Sequence, residues 1–125
     1  MERTNFEKLL VYQISERLAD EIWKIVLTWG TFEKNTIGSQ LVRAIDSVGA
    51  NIAEGTGRAG KAEKRYFTRI ARGSLTETQH WSRRAYRRNL LTNTQTQILK
   101  DLLDSLAPKL NAYLRSMEPN HEKTP

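Results

Sequence analysis

The segment GTGRAGKA, residues 55–62, contains the residue types that cradle a phosphate. It fits the pattern G-x-x-x-x-G-K, in which backbone amides and a lysine surround the phosphates of a nucleotide. A P-loop, however, joins a strand to a helix and ends with a Ser or Thr that holds magnesium. Here the preceding residues have helical periodicity, and Ala62 stands where that hydroxyl is needed. We therefore interpret the segment as a corner between two helices, with Gly55 as a helix cap and Gly57 and Gly60 in the reversal.

A second pattern could bind phosphate by charge alone. Residues 58–88 contain ten Lys or Arg and two acidic residues, a local balance of +8, whereas the whole chain carries +6. On a helical wheel, eight polar residues of this segment fall within about 100° of one another, and no acid lies among them. They would form a ridge about 39 Å long. This arginine ridge consists of Lys61, Arg65, Arg69, Arg72, Thr76, His80, Arg83 and Arg87.

The ridge indicates an anionic partner. Like charges at i,i+4 on a helix each cost a few tenths of a kcal/mol, so solvated faces usually mix signs. Arginine also favours bidentate contacts with phosphate. We predict nucleic acid as the partner, while an acidic protein surface and a plain solvated face remain as alternatives. The expected phosphate contacts are Lys61, Arg65, Arg69, Arg72, Arg83 and Arg87, with Arg58, Lys64, Arg84 and Arg88 as secondary candidates.

Catalytic chemistry has little support in the sequence. A catalytic site needs a nucleophile with a base or paired carboxylates in a pocket, and only Glu54 and Glu77 could pair in that way. There are no cysteines, and the two histidines lie far apart, so thiolate and histidine metal sites are not expected. We predict no enzymatic activity, no cofactor and no metal.

The second helical segment has a polar seam beside its apolar stripe. Residues of this kind fix helix register or a subunit interface more often than they perform chemistry. Arg43 and Glu54 would then find partners on other helices, with Glu77 as one candidate. The seam consists of Gln40, Arg43, Ser47, Asn51 and Glu54.

Four segments show the apolar spacing of amphipathic helices, and none shows the alternation of a strand. Short polar connections at 30–35, 55–60 and 89–92 predict an all-α, antiparallel, up-down-up-down four-helix bundle. Thr92 and Gln95 have the spacing of a capping box, and Pro108 should kink the last helix or interrupt its hydrogen bonds. The stripes are Val11, Ile14, Leu18, Ile22, Ile25 and Trp29; Ile37, Leu41, Ile45, Val48 and Ile52; Phe67, Ile70, Ala71, Ser74, Thr78, Trp81 and Ala85; and Leu99, Leu102, Leu103, Leu106, Leu110, Tyr113 and Met117.

We predict one domain over residues 1–118 and a mobile tail over 119–125. No apolar run approaches the roughly 20 residues of a membrane span, and the N-terminus lacks a signal-peptide layout, so a cytoplasmic protein is expected. Three tryptophans in so short a chain favour self-association. A strip of small side chains on the second helix permits close helix approach within the bundle or between subunits: Gly38, Val42, Gly49 and Ala53.

Two motifs resemble a known family. Residues 43–55 match R-A-x-S-x-x-x-N-I-A-E-G, and residues 73–77 match G-S-L-x-E. The similarity runs from about Phe6 to Met117. The sequence resembles the four-helix bundle proteins encoded by intervening sequences of bacterial large-subunit ribosomal RNA genes, to which the accessory variability determinant of diversity-generating retroelements is related.

The resemblance implies an antiparallel four-helix bundle that forms a ring-like homopentamer and has no catalytic residues. Its retroelement relatives are basic and associate with a reverse transcriptase and its template RNA. We therefore expect a non-enzymatic homo-oligomer, a pentamer, that binds RNA through its third helix, with a reverse transcriptase as a possible protein partner. The alternative is an adaptor that docks on an acidic protein without nucleic acid.

Overall fold

The computed structural model describes residues 5–119 as helices and short connections, with no strand in that range. A short 3-10 helix, Phe6–Lys8, precedes the first long helix. Of the predicted mobile tail, all but Pro119 lies outside the described residues. No helix between residues 5 and 119 combines the length and apolar character that crossing a membrane requires. The four long helices are α1 (Leu10–Leu27), α2 (Ser39–Thr56), α3 (Lys61–Arg87) and α4 (Asn93–Ser116).

The four helices pack in a ring around one core. Helix α1 packs against α2 and α4, and α3 packs against the same two helices, so α1 and α3 lie across the bundle from each other. Because short connections join successive helices, neighbouring helices run antiparallel. The predicted all-α four-helix bundle is confirmed.

The core confirms most of the predicted apolar stripes. The α2 stripe is fully buried, and the α1 stripe is buried except for the half-buried Ile14. On α4 the stripe also includes Leu114, which the sequence interpretation missed. The helix continues through Pro108, whose ring lies on the exposed side. The largest fully buried apolar side chains are Leu18, Ile22, Leu41, Ile45, Val48, Ile52, Leu106 and Leu110.

The connection between α3 and α4 is fixed by hydrogen bonds at both ends. Asn89 has φ of +59°, a left-handed conformation that Asn tolerates better than most residues. This lets Leu90 N–H donate to Ala85 O at 3.0 Å and Asn89 N–H donate to Tyr86 O at 3.1 Å, which is the Schellman arrangement. The predicted Thr92 capping box is confirmed and starts α4.

A long-range hydrogen bond attaches this connection to the rest of the bundle. The indole Nε1–H of Trp29, beyond the end of α1, donates to the carbonyl oxygen of Leu90 at 3.0 Å. The Trp29 side chain is buried in the core beside the other apolar residues. The end of α1 therefore holds the α3–α4 connection in place.

The predicted loop at 30–35 is wrong. The chain becomes helical at Thr31–Glu33, continues as a π-helical segment at Lys34–Gly38, and leads into α2 without a break. Gly38, the last residue of the π-helical segment, permits close approach to α1, because a Cβ there would be 2.8 Å from Val26 Cγ1. The small-residue strip thus serves close packing inside the bundle at this position.

Residues 57–60 form a corner between two helices, as predicted, but Gly55 is not a cap. Gly55 is buried within α2, which ends at Thr56, and Gly57 occupies the C-cap. A Cβ on Gly55 would be 3.3 Å from Phe67 Cβ, so the glycine permits close approach of α3. Gly60 occupies the N-cap position of α3.

Gly38→Ala should destabilise the protein by roughly 1–3 kcal/mol, the usual range for overpacking. The new methyl would meet Val26 Cγ1 at 2.8 Å and the Glu33 carbonyl oxygen at 3.1 Å. Gly73→Ala is the matched control: nothing lies within 4 Å of a Cβ there, so alanine should stabilise α3 by about 1 kcal/mol. Urea unfolding of both variants measures these changes. A Gly38→Ala protein as stable as the parent would contradict the packing described.

Candidate nucleic-acid interface

The buried face of α3 differs from the predicted one. Ala71, Thr78 and Ala85 are buried as expected, whereas Phe67, Ile70, Ser74 and Trp81 are only half-buried. Short side chains dominate the seam because α2 approaches α3 closely. The residues that occupy the seam are Thr68, Ala71, Leu75, Thr78, Ser82 and Ala85.

The buried hydroxyls of this seam are mostly satisfied within α3. Thr68 Oγ1 donates to Lys64 O at 2.7 Å, and Thr78 Oγ1 donates to Ser74 O at 2.8 Å. Such bonds let polar residues occupy a core position at little cost. Among the described residues, Ser82 Oγ is buried without a hydrogen-bond partner.

In the N-terminal half of the arginine ridge, two cations bind the end of α4. Half-buried Arg65 donates from Nη1 to the carbonyl oxygen of Met117 at 2.8 Å. Arg69 Nη2 lies 3.2 Å from Glu118 Oε1. The ridge carries no acid of its own, but Glu118, just beyond the end of α4 and 49 residues away in sequence, supplies one. These two arginines tie α3 to α4, which reduces the charge that they present to a ligand.

Arg58, a secondary candidate, is also engaged within the protein. Its guanidinium pairs with Glu54, one turn earlier, and lies 3.7 Å from Glu63. It also lies over the Phe67 ring, 4.9 Å from the centroid. Arg58 therefore stabilises the α2–α3 corner.

From Arg72 onward, the arginines of the ridge and its neighbours differ from Arg69 in having no ion-pair partner among the described residues. None of the arginines at 72, 83, 84, 87 and 88 forms an ion pair with any residue in the range 5–119. All are exposed except Arg84, which is half-buried. Arg83, Arg84, Arg87 and Arg88 occupy the last two turns of α3 and its C-cap. We call these four residues the C-terminal arginine cluster.

The remaining primary and secondary candidates lie at the start of α3. Lys61 is its first residue and is exposed, and Lys64 is half-buried. Thr76 and His80 are exposed between Arg72 and the C-terminal arginine cluster, as the wheel predicted. The structure thus places the ten predicted cations on α3, at its C-cap and on the corner before it. Arg58, Arg65 and Arg69 have partners within the protein, whereas Arg72 and the C-terminal arginine cluster form no ion pair among the described residues.

The polar seam of α2 is only partly buried. Ser47 Oγ and Ser74 Oγ share a hydrogen bond of 2.8 Å across the α2–α3 interface, and Asn51 Nδ2 donates to Ser47 O at 2.8 Å. Arg43 and Glu77 are exposed and form no ion pair among the described residues, so the suggested pairing between helices is wrong.

The two carboxylates that could have formed a catalytic pair are on the surface. Glu54 is exposed and paired with Arg58, and Glu77 is exposed on α3. Neither lines the two grooves along α1 and α2 or the groove between α3 and α4.

Exposed apolar side chains gather where α1 meets the start of α2. Trp23 and Leu27 border a groove of about 330 Å³ that Val42 and Gly38 also line. Phe32, nearby in sequence, is 75% exposed. Exposed apolar clusters of this kind mark interaction surfaces more often than isolated residues do.

A further groove, of about 480 Å³, lies between the second half of α3 and the first half of α4. Arg83 of the C-terminal arginine cluster and the exposed Tyr86 border it on α3. Helix α4 contributes Leu99 and Leu103. One of the unpaired cations, Arg83, therefore borders a concave surface.

A third groove, of about 280 Å³, is acidic and lies between α1 and α2. Glu16, Asp20 and Asp46 line it together with Tyr12. Burial, followed by the charge of Asp20, raises the pKa of Asp46. Burial and the nearby Glu16, Glu7 and Asp20 likewise raise the pKa of Tyr12. The described residues contain no cluster of three or more His, Cys, Asp or Glu suited to a metal.

Asp46→Asn should stabilise the protein at neutral pH. Because the folded-state pKa of Asp46 lies above its unfolded value, its negative charge reduces stability once pH exceeds the folded pKa. Below the unfolded value the group is protonated in both states, and the penalty disappears. The Tm gain of Asp46→Asn should therefore be present at pH 7 and vanish near pH 3.5. Asp101→Asn, which removes the same charge from the exposed face of α4, is the control. An equal gain from both variants at pH 7 would contradict a specific effect of the groove.

Comparison with known proteins agrees with the fold. The chain matches a crystal structure of a protein of unknown function from the S23 ribosomal protein family of Bacteroides thetaiotaomicron, with a TM-score of 0.73 and 22% identity. The match covers 84% of this chain and 98% of that chain. No curated protein matches at a significant level. The family model described as 23S rRNA-intervening sequence protein matches residues 7–112. Since that match extends over most of the chain, the protein belongs to the 23S rRNA-intervening sequence protein family.

Proposed function

We propose that this protein is a non-enzymatic, homo-oligomeric RNA-binding protein that holds phosphates on α3 from Arg72 onward. The observation that carries the proposal is the unpaired charge at Arg72 and in the C-terminal arginine cluster. Arginine is a cation at neutral pH, and no acid among the described residues forms an ion pair with these five.

The helix dipole offsets only part of this charge. Cations near a helix C-terminus gain about 0.3–1 kcal/mol each, which favours the position of Arg84 and Arg87. The C-terminal pole is equivalent to only about half an elementary charge, whereas the cluster carries four positive charges. The pairs at 83/87 and 84/88 also repel each other at i,i+4. A polyanion would remove this repulsion.

The family favours RNA among the possible polyanions. Its description connects its members with 23S ribosomal RNA. Arginine forks match phosphate oxygens bidentately, which suits a nucleic-acid backbone better than scattered carboxylates. RNA binding in the cytoplasm is therefore the function that we propose, with an acidic protein partner as the rival outcome of the test below.

Self-association is the second part of the proposal. The apolar groove bordered by Trp23 and Leu27, with Phe32 exposed nearby, supports an interface with another copy. The resemblance to ring-forming bundles supports five copies. A pentameric ring would present five arginine clusters to one RNA and so raise its avidity without new contacts.

The finer proposal is that the RNA belongs to a complex with a reverse transcriptase of a diversity-generating retroelement. It is supported by the basic charge of α3 and by the motif resemblance at residues 43–55 and 73–77. A reverse transcriptase gene beside the gene for this protein would support it, and co-purification of the two proteins would test it.

Arg72→Gln/Arg87→Gln should weaken RNA binding by about tenfold or more. Each arginine that neutralises a phosphate contributes about 0.7 to the salt slope on a single strand, so the double variant should lower that slope by about 1.4. Fluorescence anisotropy with a labelled RNA hairpin, single-stranded DNA and duplex DNA between about 50 and 200 mM salt measures both quantities.

The matched control is Arg17→Gln/Lys24→Gln. It removes the same charge from exposed positions on α1, across the bundle from α3. Equal losses in the two variants would mean that net charge alone attracts RNA. If the folded protein binds none of the three ligands, the adaptor alternative replaces the nucleic-acid proposal.

Trp23→Ala/Phe32→Ala should convert the oligomer to monomers or much smaller species. Large exposed aromatic side chains often dominate an interface energetically. Light scattering coupled to size exclusion measures the mass, and five copies are expected for the parent protein. Tyr66→Ala removes an aromatic residue that is 59% exposed on α3 and should leave the mass unchanged. A monomeric parent protein at tens of micromolar would overturn this part of the proposal.

A further inference from the structure

The groove between α3 and α4 has the chemistry of a site for a flat, partly apolar ligand. Its volume is about 480 Å³, within the usual range for small-ligand sites. Leu99 and Leu103 of α4 and Leu91 of the connection give it apolar walls. Tyr86 lies at its edge and is 53% exposed, so its ring is available to a ligand.

A polar group without a partner also belongs to this groove. Ser82 lines it and is only 7% exposed, and its hydroxyl forms no hydrogen bond with the described residues. Thr68 and Thr78, which share its seam, both form hydrogen bonds. An unpaired buried hydroxyl is costly, and rotation about χ1 would let it bond to a ligand that fills the groove.

The two sides of the groove carry different charges. On α3, Arg83 borders it and Arg87 follows one turn later, about 6 Å along the helix axis. On α4, Lys100 Nζ donates to Asp104 Oδ2 at 2.6 Å, so the charge on that side is balanced. A phosphate would bind on the α3 side, because Arg83 has no ion-pair partner among the described residues whereas Lys100 is already paired with Asp104.

The groove is held in shape before any ligand arrives. Leu91 lies between the Schellman turn that ends α3 and the Thr92 capping box that starts α4. The Trp29 hydrogen bond to Leu90 fixes the same connection from α1. Binding would therefore require little ordering of the protein.

We propose that this groove binds an unstacked base of single-stranded RNA, with the base against Tyr86 and the backbone along Arg83 and Arg87. The inference rests on the RNA-binding function proposed above and names the form of RNA that the site takes. A duplex keeps its bases stacked and could offer only phosphates to the arginines. An exposed aromatic ring beside a row of arginines is the combination that single-strand-binding proteins use.

The test compares two oligonucleotides of equal length and phosphate number: a single-stranded RNA 12-mer and a fully abasic counterpart. The parent protein should bind the RNA about tenfold more tightly than the abasic strand, because only the RNA can stack. Tyr86→Leu should remove most of this difference while leaving abasic binding unchanged. Tyr66→Leu changes a similarly exposed tyrosine on the same helix, outside the groove, and should preserve the difference.

Ser82→Ala provides an independent measurement. It should weaken RNA binding several-fold yet leave Tm unchanged or raise it, since the folded protein loses no hydrogen bond. Ser15→Ala is the control, because Ser15 is also buried, on α1, but donates to Tyr12 O at 2.8 Å. It should lower Tm and leave RNA affinity unchanged.

The outcomes distinguish failure of the base site from failure of the RNA-binding function on which it rests. Equal binding of RNA and abasic strands, both sensitive to Arg72→Gln/Arg87→Gln, would overturn the base site and retain phosphate binding. Failure of the parent to bind either strand would overturn both. A Tyr86→Leu protein of smaller oligomeric mass would assign the groove to a second copy of the chain and overturn the base site.

Discussion

The structure depends on the close approach of α2 and α3. The buried face of α3 contains a single large apolar residue, Leu75, and its other members are Thr, Ala and Ser. Such a face buries little apolar area, so close van der Waals packing against α2 must contribute much of the stability of α3 in the bundle. Buried Gly55 against Phe67 and the Ser47–Ser74 hydrogen bond provide that contact. Because one side of α3 is fixed in this way, its arginines are directed away from the core.

The same packing explains why the cations of α3 behave as two groups. Antiparallel α4 brings Met117 and Glu118 to the start of α3, where they bind Arg65 and Arg69. The other end of α3 meets the start of α4, whose Lys100 and Asp104 satisfy each other. No acid among the described residues lies within ion-pair distance of the C-terminal arginine cluster. The division between structural and available charge therefore follows from helix direction.

The sequence was sufficient for features that depend on local spacing. The α1 and α2 stripes and the Thr92 cap follow from helix periodicity and from hydrogen bonds within one turn. Features that depend on other helices were missed. The buried seam of α3 includes Thr68, Leu75 and Ser82, which lie to one side of the predicted stripe. Most of its residues are small because α2 packs closely against it, and small residues carry a weak hydrophobic signal. Likewise, nothing near Arg69 in sequence reveals its partner, and the π-helical start of α2 leaves no periodic pattern.

Local energetic costs concentrate where we place the function. Gly73 lies inside α3 with nothing within 4 Å of its missing Cβ, and a glycine there costs about 1 kcal/mol relative to alanine. The unpaired Ser82 hydroxyl and the repelling arginines follow within four turns. Before Arg72 the helix shows few such costs, because the Thr68 hydroxyl and the guanidinium groups of Arg65 and Arg69 have partners. Sequences depart from locally optimal choices chiefly at functional sites, so the uneven distribution along α3 supports the proposal that its part from Arg72 onward binds a ligand.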